Sequence, residues 1–289
     1  MLERFAADRI AVNGVEIHLR HGGSGPPLLL LHGYPQTHVI WHGVADRLAQ
    51  RFTLVMPDLR GYGDSSKPKG LPDHSNYSKR TMAQDMADLM QALGFAQFNV
   101  CGHDRGGRVA HRLALDHAER VDKLILLDIS PTRTMYERTD MRFATLYYHW
   151  FLLIQPAPLP ETLIGASAEF YANATLGGWN LQGANFMDPR AKAEYVRCFC
   201  QPDAIHAACE DYRAAASIDL EHDRDGKRIA CPTHVLWGER GVVAHLFDPM
   251  KDWGEKCAGP LTGKAVPAGH FIPDEVPELL AEEMLAYFA

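Results

Sequence analysis

One stretch limits what this chain can fold into more than any other: Val100-Cys101-Gly102-His103-Asp104-Arg105-Gly106-Gly107-Arg108. An apolar run leads into it and a helix-like run, Val109 to Leu115, leads out. The pattern predicts a strand that turns sharply into a helix with a carboxylate at the apex. Residues beside such an apex must be small, and Gly102, Gly106 and Gly107 meet that need. The apex itself is expected at positive φ, which Asp tolerates better than most residues with a Cβ. A carboxylate held there suits attack on a carbon bearing a leaving group, giving an ester that water then hydrolyses. The plainer alternative is an Asp that merely caps the helix.

The flanking sequence alternates strand and helix signals. Ile10 to Leu19 reads as two strands around the Asn13-Gly14 turn, the strongest short hairpin signal. Leu28 to Leu31 is wholly apolar, as in a strand buried on both faces of a parallel sheet. His32-Gly33-Tyr34-Pro35-Gln36 follows it as a loop. Trp41 to Arg51 has the period of an amphipathic helix with Trp41, Val44 and Leu48 on one face. Phe52 to Asp58 is the next strand, and Leu59 to Pro68 a Gly-rich loop. Ser78 can cap a helix over Thr81–Leu93 that ends at Gly94. Val121 to Asp128 is a strand with an acid at its C-terminal end, the edge where open α/β sheets bind ligands. From about 132 to 220 only helical periods and loops occur. Strand signals return at Thr233–Gly238 and Lys264–Pro267, and Pro277–Ala289 closes the chain as a helix. The expected class is therefore α/β: a mostly parallel sheet flanked by helices, with a core of 1–131 and 221–289 and an inserted helical cap of 132–220.

Composition narrows the partners. The formal net charge is −7 and no long Lys/Arg run occurs, which argues against nucleic acid. An anionic substrate would need a local cationic pocket to overcome the global field. No apolar stretch approaches the roughly 18 residues of a membrane span, and no basic-then-apolar leader opens the chain, so a cytoplasmic protein without membrane partners is expected. The six cysteines have no disulfide-framework spacing. Cys198, Cys200 and Cys209 with His206 form a cluster lacking the Cys-x-x-Cys pairs of structural zinc sites, so they are read as buried apolar residues, and neither metal nor cofactor is expected.

Four motifs, His32 to Gln36, Asp58-Leu59-Arg60-Gly61-Tyr62-Gly63, Gly102 to Gly107 and Gly269-His270-Phe271, together resemble the α/β-hydrolase branch that holds epoxide hydrolases and haloalkane dehalogenases. Within it the chain is most similar to the fluoroacetate (haloacetate) dehalogenases, through Asp104-Arg105 with Arg108, Tyr148-His149-Trp150, Gln155-Pro156-Ala157-Pro158 and Asp211-Tyr212-Arg213-Ala214. The resemblance implies Asp104 as nucleophile, His270 as the base that activates water, and backbone N–H groups of Tyr34 and Arg105 as oxyanion donors. Many relatives carry the triad acid in a Gly-x-x-Asp loop after the strand Thr233–Gly238. Here that loop reads Gly238-Glu239-Arg240-Gly241, so Asp128 is the expected acid, with Glu239 and Asp248 as fallbacks.

Arg105 and Arg108 carry the expectation about substrate. Epoxide hydrolases and haloalkane dehalogenases usually have Trp directly after the nucleophile, and a buried unpaired guanidinium is costly. Arginine fits if the substrate brings its own carboxylate; the plain alternative is that either arginine pairs with a protein carboxylate. His149, Trp150 and Tyr212 are the expected halide donors, against the alternative that they are cap core, as Tyr147, Tyr148 and Trp179 are read. The expected reaction is hydrolytic dehalogenation of short 2-haloacids such as fluoroacetate, with water as cosubstrate. An epoxide hydrolase is the second reading, and a non-catalytic receptor on a hydrolase fold the third. The resemblance also implies a homodimer.

Overall fold

The alternating signals resolve into one eight-stranded sheet in the computed structural model, which describes residues 1–178 and 186–289. The strands are β1 (Ala6–Val12), β2 (Val15–Gly23), β3 (Pro27–Leu31), β4 (Thr53–Pro57), β5 (Phe98–His103), β6 (Val121–Leu127), β7 (Thr233–Gly238) and β8 (Leu261–Val266). Their order across the sheet is β1-β2-β4-β3-β5-β6-β7-β8. The first two strands pair antiparallel as a hairpin, with Asn13 and Gly14 at φ 45° and 76°. β2 is antiparallel to β4, and every pairing from β4 to β8 is parallel. The expected α/β-hydrolase sheet flanked by helices is therefore what forms.

Burial follows the strand patterns. Leu28 to Leu31 in β3 and Leu124 to Leu127 in β6 are fully buried, as strands covered on both faces require. Helices Lys79–Ala92 and Arg105–Asp116 pack on the sheet and on each other. Ser78 caps the first of these by accepting from the Thr81 N–H, and Gly94 follows it at φ 84°.

Trp41–Arg51 departs from its reading as one helix. The chain forms a 3-10 turn over His38–Gly43 and then a short helix, Ala45–Leu48. His38 to Trp41 are all buried, which a helix with a single apolar stripe cannot achieve. A Cβ on Gly43 would lie 2.8 Å from Pro277 Cβ, so the start of the closing helix Pro277–Phe288 sits directly against this break.

Asp58 organises the loops after β3 and β4. Its two carboxylate oxygens accept from the N–H of His38 and Asp64 and from Nδ1 of His18 and His38, at 2.8–3.0 Å. Burial pushes this carboxyl up, but the three neighbouring histidines and these hydrogen bonds hold it well below the usual range. His32 Nε2 accepts from the Leu59 N–H at 3.0 Å, joining the two loops again.

Between β6 and β7 the described residues form helices and turns without a strand. Pro202–Ala216 is the longest of these helices, and it packs on helices Leu159–Gly165 and Tyr148–Leu153. Among the described residues no helix is long and apolar enough to cross a membrane. All six cysteines are free. His206 faces Glu161 and the Gly70 N–H, and no metal-spaced group joins it to Cys198, Cys200 or Cys209. Trp179 lies outside the described residues.

Candidate active site

The turn after β5 places Asp104 at φ 45° and ψ −114°, immediately ahead of helix Arg105–Asp116. Close approach of the β3 loop dictates the glycines around it. A Cβ on Gly106 would sit 2.3 Å from the His32 carbonyl oxygen, and one on Gly33 would sit 2.7 Å from Asp104 Cβ. The Asp104 side chain makes no capping hydrogen bond to its helix, so the helix-cap reading does not describe it. Its Oδ2 accepts instead from the Tyr34 N–H at 3.1 Å, the backbone donor that the β3 loop was expected to supply. Arg105, whose own N–H is the other expected donor, is the first residue of the helix.

Asp128 directly follows β6, at φ 50°. Its Oδ2 lies 2.7 Å from His270 Nδ1, and its Oδ1 accepts from the Gly238 N–H at 2.9 Å. Nδ1 therefore carries the proton and Nε2 is the basic nitrogen of His270. Burial alone would lower the His270 pKa, but the hydrogen bond and charge of Asp128, with Asp104 nearby, raise it above its ordinary value. Burial pushes Asp104 up, yet His270, Arg108 and Arg105 together hold its carboxyl below the usual value. One buried carboxylate thus stays ionised beside an imidazole poised to exchange a proton. Glu239 and Asp248 are engaged elsewhere: Glu239 is half exposed next to Arg240, and Asp248 caps helix Pro249–Gly254.

The two arginines have different surroundings. Arg105 Nε and Nη2 donate to the two carboxylate oxygens of Asp211 at 3.0 and 2.8 Å, and its Nη1 has no partner among the described residues. Arg108 donates through Nη1 to the Ser130 carbonyl and to Thr132 Oγ1, and its Nη2 lies 3.2 Å from Met135 Sδ. Among the described residues Arg108 has no carboxylate in ion-pair contact, and its Nε has no hydrogen-bond partner. Burial, then repulsion from Arg105, lower its pKa; Asp104 opposes them. The alternative of a protein carboxylate partner thus applies to Arg105 and not to Arg108.

His149 and Trp150, from helix Tyr148–Leu153, meet Tyr212, from helix Pro202–Ala216, with ring centroids 5.7 and 6.1 Å from the tyrosine ring. Tyr34 stacks on His149 and meets Tyr212 edge-on. Trp150 lies under the Arg108 guanidinium at 4.8 Å, and Tyr212 under that of Arg105 at 4.1 Å. Burial holds the His149 pKa well below its ordinary value, so the ring is neutral. Burial, then the Asp104 charge, push Tyr212 well above its usual range, so its hydroxyl keeps its proton; that hydroxyl has no partner among the described residues. The aromatics and the arginines therefore line the same site as Asp104, which also acts electrostatically on His149 and Arg108.

With this geometry in place, the sequence comparisons are decisive for the family: the profile of the alpha/beta hydrolase fold matches residues 26–277. The chain belongs to the α/β-hydrolase fold family. It is 46% identical to a fluoroacetate dehalogenase of Burkholderia sp., over 96% of this chain and 92% of that one. It is 32% identical to a soluble epoxide hydrolase of Corynebacterium sp. (strain C12), over 96% and 95%. A crystal structure of a chain assigned to the alpha/beta hydrolases, from Nostoc sp PCC 7120, superposes with a TM-score of 0.98 at 53% identity, covering 100% of this hydrolase and 99% of that chain.

Several residues that build the site of this hydrolase have no role assigned from the sequence, although His103, Tyr62 and Asp211 lie within the motifs that carry the resemblance. His103, beside the apex, donates through Nε2 to the His270 carbonyl at 2.8 Å, and burial keeps it neutral, with its pKa lowered to about 3. Glu275 accepts from the N–H groups of Gly269 and Phe271, at 2.7 and 3.0 Å, on either side of His270. Both fix the loop that carries the base. The sequence reading gives a role to Tyr212 alone in Asp211–Ala214, and none to Lys79 or Tyr62. All three of Asp211, Lys79 and Tyr62 stand behind Arg105. For His103, Lys79, Tyr62 and Asp211, whose partners lie 106 to 167 residues away, no periodicity or spacing marks the contact.

Proposed function

We propose that this hydrolase cleaves the carbon–halogen bond of short 2-haloacids, converting fluoroacetate and water to glycolate and fluoride. The observation that carries the reading is Arg108. It is a buried guanidinium without a carboxylate in ion-pair contact, adjacent to an ionised carboxylate nucleophile. The charge of Asp104 favours this guanidinium only at a distance, and a buried charge without a paired carboxylate is costly, which a neutral substrate would not relieve. A substrate carboxylate offers acceptors for Arg108 Nε and Arg105 Nη1, which have no hydrogen-bond partner among the described residues.

In this reading Asp104 attacks the carbon next to the substrate carboxylate, the C–O bond of an ester forms, and halide leaves with the bonding pair. Tyr212, Trp150 and the neutral His149 replace the water around the departing halide, a demanding task for the strongly hydrated fluoride. His270 Nε2 then takes a proton from water as it attacks the ester carbonyl carbon. Asp128 stabilises the imidazolium, and the backbone N–H groups of Tyr34 and Arg105 hold the developing oxyanion. Collapse releases glycolate and regenerates Asp104, and one proton is given up overall with the halide. The segment 132–220 serves as a cap domain on the core of 1–131 and 221–289, because it delivers His149, Trp150 and Tyr212 to the sheet edge.

An epoxide hydrolase is the second reading. The unpartnered Tyr212 hydroxyl is a donor that an epoxide oxygen can use, and the Corynebacterium relative bears that name. It leaves Arg108 without a purpose. Incubation with fluoroacetate, chloroacetate and an aryl epoxide separates the two. Fluoride and chloride release is expected, and diol without halide would overturn the haloacid reading. His270→Asn is expected to accumulate a carboxymethyl ester on Asp104, seen by mass spectrometry; an unmodified Asp104 in a variant that binds substrate would remove covalent catalysis.

A further inference from the structure

Arg105 is held by an assembly that the proposed reaction does not use. Asp211 is fully buried, and its carboxylate accepts the two Arg105 hydrogen bonds, one from the Tyr62 hydroxyl at 2.6 Å, and one from the Lys79 ammonium. The Asp211 backbone carbonyl accepts a further bond from Arg105 Nη2 at 2.9 Å. The Tyr212 ring covers one face of the same guanidinium. Burial pushes the Asp211 carboxyl up, but Arg105 and Lys79 on either side hold it well below the usual range. Lys79 is itself tied down, since its backbone N–H opens helix Lys79–Ala92 by donating to Asp219 Oδ1 at 2.8 Å.

This arrangement has a geometric consequence. An arginine side chain has several rotatable bonds, and a guanidinium pinned along one edge and stacked on one face loses most of that freedom before any ligand arrives. Two of its three nitrogens are engaged, and Nη1 is left over. Prior ordering of a binding group removes that cost from ligand binding. A carboxylate set between two cations and a phenol stays ionised at neutral pH, which keeps both guanidinium bonds charge-assisted.

We propose that Asp211 is a positioning residue for carboxylate recognition: braced by Lys79 and Tyr62, it fixes Arg105 so that Nη1 alone is presented to the carboxylate of a haloacid. The proposal rests on the haloacid reading given above. Its prediction differs from that of a plain structural ion pair, which asks only that buried charges balance.

Two variants distinguish these roles. Asp211→Glu keeps the charge and shifts the carboxylate by a methylene. The double variant Asp211→Asn with Lys79→Met removes one charge of each sign, leaving an amide that cannot take both guanidinium bonds. Acetate binding is measured by calorimetry, and kcat/KM is compared for fluoroacetate and the uncharged fluoroacetamide, with folding checked by Tm. Both variants are expected to weaken acetate binding by about 10-fold or more. They should lower the fluoroacetate-to-fluoroacetamide ratio by a similar factor, with the loss in KM rather than kcat. Should the double variant fail to fold, Asp211→Glu decides alone. Acetate affinity and substrate ratio at the unsubstituted level in Asp211→Glu would overturn the proposal. If the unsubstituted protein releases no halide yet binds acetate in an Asp211-dependent way, the haloacid reading fails and the positioning role stands. If it releases halide and the variants discriminate as well as it does, the reverse holds.

Discussion

At the C-terminal edge of the sheet, Asp104 and Asp128 each directly follow a strand, and His270 lies four residues beyond β8. Facing them, His149, Trp150, Asp211 and Tyr212 come from two helices of the segment between β6 and β7, and Asp211 meets Arg105 across 106 residues of chain. The first set is placed by backbone: strand register, two residues at positive φ, and glycines too tightly approached to carry a Cβ. The second set is placed by side chains, through ring contacts, a buried ion-pair assembly and cation–π stacking. In the haloacid reading the two regions divide the work: the backbone-placed groups would carry the attack and the ester hydrolysis, the arginines would bind the substrate carboxylate, and His149, Trp150 and Tyr212 would receive the halide. Substitutions should then separate cleanly, with the sheet edge affecting kcat and the arginine clamp affecting KM.

The largest effect is expected at Asp104. Asp104→Ala should abolish halide release, a loss of about four orders of magnitude or more in kcat, while acetate still binds by calorimetry. Loss of acetate binding instead would mean that nucleophile and clamp are not separable.

Asp128→Asn comes next, with a fall of about 10³–10⁴ in kcat by the logic of triad acids. It carries a pH signature as well. His270 must be neutral to accept a proton from water, so ester hydrolysis is lost as pH falls through the His270 pKa, which the hydrogen bond and charge of Asp128 raise. Asp104, held below its ordinary value in the free protein, is ionised for the first step and is the neutral ester in the second. Removing the Asp128 charge leaves burial as the dominant influence and moves the inflection to lower pH. A pH–rate profile of single-turnover hydrolysis checks this, and an unshifted inflection would take Asp128 out of the triad.

Arg108→Leu should raise KM for fluoroacetate by roughly 10- to 100-fold, the worth of a hydrogen bond to a charged group, and leave KM for fluoroacetamide nearly unchanged. Equal losses on both substrates would blur the division between regions.

The smallest effect concerns a carboxyl outside the reaction. Asp274 accepts from Gln36 at 2.7 Å and from the Tyr195 hydroxyl at 3.4 Å, and burial raises its pKa to about 7. A carboxyl whose folded pKa exceeds its unfolded one favours the fold below the unfolded value and loses that contribution as pH rises through the folded one. Stability should therefore decline between about pH 4 and pH 7. Asp274→Asn should be more stable than the unsubstituted chain at pH 8 by an amount on the order of a few kcal/mol, and show little gain at pH 4. Melting curves at both pH values test it, and a difference independent of pH would assign the effect to packing.

How much of this was legible in sequence follows the same division. β3, β5 and β6 are written as short apolar runs, and their ends announce Tyr34, Asp104 and Asp128. His270 is marked by Gly-His-Phe after the last strand. Trp41–Arg51 misleads because burial on all sides of a 3-10 turn resembles the stripe of a helix. His149, Trp150 and Tyr212 are legible only through family resemblance, since an aromatic on a helix looks the same whether it lines a site or fills a core.

By itself, then, the sequence determined the sheet, the turn and the chain order Asp104, Asp128, His270 at the strand ends, because strand periodicity and the steric demands of a turn are local. It also put Arg105 and Arg108 beside the nucleophile. Only the tertiary structure decided that the two differ. Asp211, brought in from a distant helix with Lys79 and Tyr62 behind it, forms an ion pair with Arg105, and Arg108 is left without a carboxylate partner among the described residues. Which buried charge is compensated depends on what the fold packs against it, and adjacent positions in the chain do not carry that information.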